Sequence, residues 1–129
     1  MVRATTLLLF FSLLSFTAFA GDNVITIQTQ GTGTTITAKQ AGSSNTTGIY
    51  CGLGSFDNDS DVWITQEGTG DHNAYVLNYS GGDNNSTRLI QKGSGIKDAD
   101  IYFYSGADDN DVNLTQQGNG AHTAYMRFY

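Results

Sequence analysis

"DVWITQEGTGDHNAY", residues 61–75, returns as "DVNLTQQGNGAHTAY", residues 111–125, with nine of the fifteen positions identical. Midway between them, "TRLIQKGSGIKDADIYFYSG" places Gln91, Gly93, Gly95, Lys97 and Ala99 25 residues from the matching position in each flanking copy. A fixed period of 25 divides the chain from residue 55 onward into three equal units, 55–79, 80–104 and 105–129, opened by Ser55, Ser80 and Ser105. A repeat of that length signifies a solenoid or array, in which each unit covers a face that its neighbour cannot bury alone.

Alternation within a unit predicts strands, because side chains two apart share one face. In the first full unit Val62, Ile64 and Gln66 form one set, Gly68 and Gly70 mark a turn, and His72, Ala74, Val76 and Asn78 form a second set. The next unit repeats this with Thr87, Leu89, Gln91 and then Lys97, Ala99, Ile101, Phe103; the last with Val112, Leu114, Gln116 and then His122, Ala124, Met126, Phe128. These recurring sets are the expected inward face, while Trp63, Thr65 and Glu67 alternate outward. Stacking the units in parallel at about 4.8 Å puts like over like around a thin two-sheet core. Gln40, Gln66, Gln91 and Gln116 then form an amide ladder that satisfies polar groups in the interior. Gly68, Gly93 and Gly118 suit a turn that needs positive φ or close backbone approach, and Gly42 stands on the same ladder.

The N-terminal half follows the rule less strictly. Ile36, Ala38 and Gln40, then Gly42, Asn45, Thr47, Ile49 and Cys51, make a unit over about residues 30–54 whose turn is one residue shorter and whose following arc is two residues longer. Ile25, Ile27 and Thr29 with Gly31 read as an unpaired strand or a degenerate half unit. The expectation is an all-β chain, a parallel β-solenoid of about four strand-turn-strand units with cross-β stacking over residues 21–129.

Residues 1–20 carry the pattern of a secretory signal: Arg3, the apolar run "LLLFFSLLSF", and the small-residue exit Ala18-Phe19-Ala20 before Gly21. A membrane anchor is the other reading, but the run is short for a spanning helix and no second apolar stretch follows, so no transmembrane segment is expected in the mature chain. The 109 residues from Gly21 onward hold five Lys/Arg against twelve Asp/Glu, a formal charge of −7 that argues against nucleic acid as the natural ligand. The single cysteine, Cys51, excludes an intrachain disulfide; it reads as a small buried apolar residue, with a reactive thiol or an interchain bridge as the alternatives. Sixteen glycines and no proline mean many turns and no strand breakers.

The pattern Gln40-x-Gly42-x-x-Asn45-x-Thr47 behind alternating apolar residues, recurring as Gln66-x-Gly68, Gln91-x-Gly93 and Gln116-x-Gly118, resembles the repeat of the curlins, secreted subunits of bacterial curli amyloid fibres. The resemblance covers nearly all of residues 24–129. It departs from the family at His72, Lys97 and His122, where Asn is usual, and at Asn78, Phe103 and Phe128, where Gln often recurs. It implies an extracellular structural fibre serving biofilm matrix, adhesion or surface colonisation, with the chain itself as principal partner. A nucleator subunit and an outer-membrane secretion apparatus are the other implied partners. No cap is evident after the final strand, so end-to-end stacking of subunits is expected. The acidic charge leans toward the major subunit of such a fibre, the minor nucleator being the alternative.

Aspartates 57, 59, 61, 83, 108, 109 and 111 lie in the arcs between units. Their charge and poor strand propensity either delay stacking until export or simply solvate turns. "DNDSD" at 57–61 imitates the opening of a calcium loop, but Val62 stands where glycine is needed and no bidentate Glu follows at the required distance. His72 and His122, separated by Lys97 on one ladder, would stand about 9.6 Å apart, too far to share a metal, and read as satisfied turn-edge residues. Tyr79, Tyr104 and Tyr129 fall on one outward ladder and Tyr75 with Tyr125 on another. Glu67 and Lys92 form a plausible exposed pair. No nucleophile motif, phosphate loop or convergent set of carboxylates is present, so neither catalysis nor a cofactor is expected. A monomeric solenoid binding a ligand or ice through an outward Thr face is the competing class, and Ile90 interrupts the Thr65–Thr115 ladder it requires.

Overall fold

The computed structural model describes residues 3–9, 13–19, 21–29, 34–51, 60–78, 84–104 and 110–129. Nine strands carry the repeats: β3 (Asp22–Thr29), β4 (Thr34–Gly42), β5 (Ser44–Cys51), β6 (Ser60–Gly68), β7 (His72–Asn78), β8 (Asn85–Gly93), β9 (Lys97–Phe103), β10 (Asn110–Gln117) and β11 (His122–Phe128). Two more, β1 (Arg3–Leu9) and β2 (Leu13–Phe19), precede them. Odd-numbered strands form one sheet in the order β1-β3-β5-β7-β9-β11, and even-numbered strands form the other in the order β10-β8-β6-β4-β2. For brevity these are the odd sheet and the even sheet. Every pairing is parallel, so the chain coils as a β-solenoid with one strand-turn-strand unit per layer.

The period of 25 fixes the register. Gln66 pairs with Gln91, Gly68 with Gly93, Ala74 with Ala99, and Gln91 with Gln116. The 26-residue step earlier in the chain keeps Gln40 on Gln66 and Gly42 on Gly68, because the shorter turn and longer arc absorb the difference outside the strands. Burial alternates as the side-chain pattern demands: Ile36, Ile64 and Leu89 from the even sheet meet Ile49, Val76 and Ile101 from the odd sheet in one continuous core. Branched and aromatic residues fit this pleated, half-buried surface, and no proline removes a ladder donor.

One early expectation changes. The strand holding Ile25 and Ile27 is not unpaired: β3 bonds to β5 on one side and to β1 on the other, and both isoleucines are buried. The stretch read as an export signal forms strands, with β1 in register on β3 and β2 on β4. Its Leu, Thr and Phe content and freedom from glycine and proline let it extend the two sheets by the same backbone pairing. Among the described residues no helix is long and apolar enough to cross a membrane.

Candidate functional site: the buried polar ladders

The strand-to-strand turn brings Gln66, Gln91 and Gln116 each opposite the carbonyl seven residues later, and Gln40, across its shorter turn, opposite Thr46 O six residues later at 2.9 Å. Gln66 Nε2 donates to Asn73 O at 2.8 Å, Gln91 Nε2 to Asp98 O at 2.9 Å, and Gln116 Nε2 to Thr123 O at 2.8 Å. Each amide also donates to the Oε1 of the Gln in the preceding layer: Gln66 to Gln40 at 2.9 Å, Gln91 to Gln66 at 2.8 Å, and Gln116 to Gln91 at 2.9 Å. The ladder therefore runs one way, every layer offering an acceptor to the next. Gln40, Gln66 and Gln91 are wholly buried, and their bonding offsets the cost of placing an amide among Ile, Leu and Ala side chains. Gln40 Oε1 is additionally bound by Thr47 Oγ1 at 2.6 Å.

The turns pack as tightly as the ladders. Gly68 and Gly93 hold φ of +147° and +123°, and a Cβ on either would lie 1.7 Å from the carbonyl oxygen of Gly42 or Gly68 in the layer before. Only glycine allows successive turns to nest at that spacing. Gly118 repeats the positive φ, whereas Gly42, in the shorter turn, does not.

A second ladder lies just past the turn. Asn23 Nδ2 donates to Asn45 Oδ1 at 3.1 Å, and Asn45 Nδ2 lies 3.2 Å from His72 Nδ1. With its Oδ1 occupied, Asn45 presents an amide hydrogen to Nδ1, which places the imidazole proton on Nε2. His72 is fully buried, and among the described residues Nε2 has no hydrogen-bond partner. Burial pushes its pKa below the ordinary value and the Lys97 cation on the next layer adds to this, against opposing pulls from the Gly68 and Lys92 carbonyls and Asp71. Lys97 is itself buried, its Nζ bonded to Gly95 O at 3.1 Å and Asn119 O at 3.2 Å. His72 is thus not the satisfied turn-edge residue expected. The layer above it closes the turn, and a ring has no terminal amide with which to repeat the bonds that Asn45 makes.

Sequence reasoning did not single out a third polar column at the far end of the strands. Asn78 Nδ2 donates to Asn85 Oδ1 at 2.8 Å, the same oxygen accepts Ser60 N at 3.2 Å, and Asn85 Nδ2 donates to Asn110 Oδ1 at 3.2 Å. The signal existed, since Ser60, Asn85 and Asn110 fall at the same period of 25.

The remaining candidates divide clearly. Ile64, Leu89, Ala74 and Ala99 are buried in the core as expected. Leu114 packs partly against it, and Ala124 stands on the same column in the exposed last layer. Asp61 and Asp111 are exposed near the starts of β6 and β10 rather than in arcs; Asp57, Asp59, Asp83, Asp108 and Asp109 lie outside the described residues. Tyr79 also lies outside them, while Tyr104 and Tyr129 stack at 4.6 Å between centroids. Tyr75 and Tyr125 do not touch each other. They belong to a zigzag Tyr50–Tyr75–Tyr102–Tyr125 with steps of 5.7, 5.5 and 5.8 Å. Glu67 and Lys92 are register partners. Among the described residues no His, Cys, Asp and Glu side chains cluster as metal ligands.

The exposed side of the β10–β11 layer repeats the set that every interior layer covers. Met126 and Phe128 are 47% and 55% exposed, whereas Ile101 and Phe103, their register partners one layer down, are 0% and 1% exposed. No family model matches the chain, and neither a curated protein nor a solved structure shows significant similarity to it.

Proposed function

We propose that this chain is a structural subunit of an extracellular fibre of the curli type, exported and then stacked layer on layer with copies of itself. The observation that carries the reading is the self-complementary layer. Its face exposes Met126 and Phe128 and carries Gln116, whose column passes one amide bond per layer, and with residues 1–20 removed on export the same column begins again at Gln40. Parallel pairing of a further copy extends both sheets at the same spacing of about 4.8 Å and covers that apolar set, an open heterologous assembly. On this reading the function is material rather than catalytic, serving matrix, adhesion and surface colonisation. Beyond the chain itself, the partners are a nucleating subunit and an outer-membrane export apparatus, as the repeat resemblance implies.

The test is to dilute residues 21–129 from denaturant and follow thioflavin fluorescence with and without preformed seed, then record fibre diffraction. A lag abolished by seed, with reflections near about 4.7 and about 10 Å, is the expected result. A stable soluble β-protein indifferent to seed would overturn the reading.

A further inference from the structure

The two outward sheet faces differ in character. Excluding Arg3 and the buried Lys97, the chain has four Lys/Arg residues, and three of them, Lys39, Arg88 and Lys92, are exposed on the even sheet, where Asp61, Glu67 and Asp111 also face outward, so the match to a partner is local rather than one of net charge. That face also holds the only tryptophan, Trp63, half exposed at 50%, beside a groove of about 230 Å³ lined by Thr37, Trp63, Thr65, Arg88 and Ile90. The odd sheet presents Asp98, Asp100 and the tyrosine zigzag, with Arg127 over the Tyr125 ring in its last layer. The Asp100 carboxyl sits above its ordinary pKa through partial burial and the neighbouring Asp98, so this pair gains from a cation brought close.

The levels of these residues follow from the interior bonding. Gln91 and the Asp98 carbonyl meet across one layer, so moving outward from the turn in steps of two sets Lys92 level with Asp98, Ile90 with Asp100, and Arg88 with Tyr102. In the layer below, Gln66 and the Asn73 carbonyl meet the same way, which sets Glu67 level with Asn73 and Thr65 with Tyr75. A second copy displaced sideways, with no shift along the solenoid axis, therefore brings Lys92 over Asp98 and Arg88 over the Tyr102 ring. The Tyr75 and Tyr102 rings face the groove beside Trp63. No like charges oppose one another in either layer.

We propose that the even face of one copy docks on the odd face of a second copy in this level register, so that stacked arrays associate sideways into bundles. The area supports arrays rather than free chains. Four layers at about 4.8 Å and strands of about 25 Å give roughly 500 Å² per face, about 1,000 Å² in total, the lower limit for a specific interface. Stacking multiplies that contact, so the proposal rests on the fibre reading for its strength. Arg88 stacks on a tyrosine ring and Lys92 pairs with a carboxylate, one contact for shape and one for charge.

The experiment uses the full chain and reads two quantities separately: axial growth by seeded thioflavin kinetics, and filaments per bundle by electron microscopy, with Trp63 emission as a solution reporter. The parent gives bundles that thin as salt rises, with a blue shift of Trp63 emission as they form. Lys92→Glu and Asp98→Lys each reduce bundles to single filaments while seeded growth stays within about twofold, and the double variant regains bundles. Lys92→Glu also meets Glu67 on its own sheet, so Asp98→Lys, flanked by Asn73 and Thr123, is the cleaner single change. Normal axial growth with bundle width unchanged in both single variants, or not restored in the double, overturns the sideways docking alone. Absence of axial growth in the parent overturns both readings.

Discussion

Replacing Gln66 by leucine separates the ladder's contribution from that of simple packing. Leucine nearly fills the volume, so the cavity term is small and the loss lies in hydrogen bonds. Asn73 O and Gln40 Oε1 each lose a donor, at 2.8 and 2.9 Å, and Gln91 Nε2 loses the acceptor it holds at 2.8 Å. Gln40 Oε1 keeps Thr47 Oγ1, and Gln91 Nε2 keeps the carbonyls of His72 and Asp98, so none of these side-chain atoms is fully stranded. At about 1–3 kcal/mol for a buried polar group left short, the soluble chain should lose about 2–4 kcal/mol. Gln116→Leu, at the half-exposed last layer, strips a donor from Gln91 Oε1 and from Lys97 O, and should cost about 1–2 kcal/mol in the unassembled chain. In a stacked array, however, Gln116 becomes interior, and the full penalty appears at each junction. Guanidinium unfolding followed by far-ultraviolet circular dichroism gives the first quantity, and seeded elongation gives the second. A Gln66→Leu loss below about 0.5 kcal/mol, the range of ordinary surface changes, would refute the ladder argument. Gln116→Leu elongating at the parent rate would refute its extension to assembly.

Three other outcomes are expected. Gly93→Ala should cost at least about 3 kcal/mol in the same unfolding assay, because φ is +123° and the new Cβ meets Gly68 O at 1.7 Å. Gly48→Ala, whose Cβ meets only a Tyr50 ring carbon at 3.3 Å, should stay within about 1 kcal/mol of the parent. The lowered pKa of His72 means that the unfolded chain takes up its proton first as pH falls. That contribution is complete above about pH 6.5 and declines below it by at most about 1.4 kcal/mol per pH unit; parallel stability curves for the parent and His72→Asn would contradict this. Cys51 is a wholly buried thiol outside any disulfide, so a thiol reagent should label it only at the rate of local or global unfolding, and immediate labelling of the folded chain would count against its place in the core.

The fold was legible because a period of 25 combined with two-residue alternation leaves few ways to bury the apolar set. Gln66, Gln91 and Gln116, with Ile64, Leu89, Ala74 and Ala99, could be placed on inward columns from spacing alone, and parallel stacking in register followed. The glycines could be placed too, since a turn that recurs with Gly at one position implies that each copy nests against the last. What spacing left undetermined was the surroundings of each residue. The isolation of His72 Nε2 depends on which groups of the neighbouring layers come within reach, and no unit contains that information by itself. The pairing of β3 with both β1 and β5 likewise depends on strands lying outside its own unit. So does the level match of Lys92 with Asp98, which is set by the interior bond from Gln91 across the core. The sequence by itself determined the periodic quantities, which residue types share a face and how many residues advance one layer, because side-chain direction in a strand is a local property. Only the tertiary structure decided which polar atoms find partners and which surfaces stand opposite, because hydrogen bonds are made at distances of about 3 Å between residues that the chain keeps many positions apart.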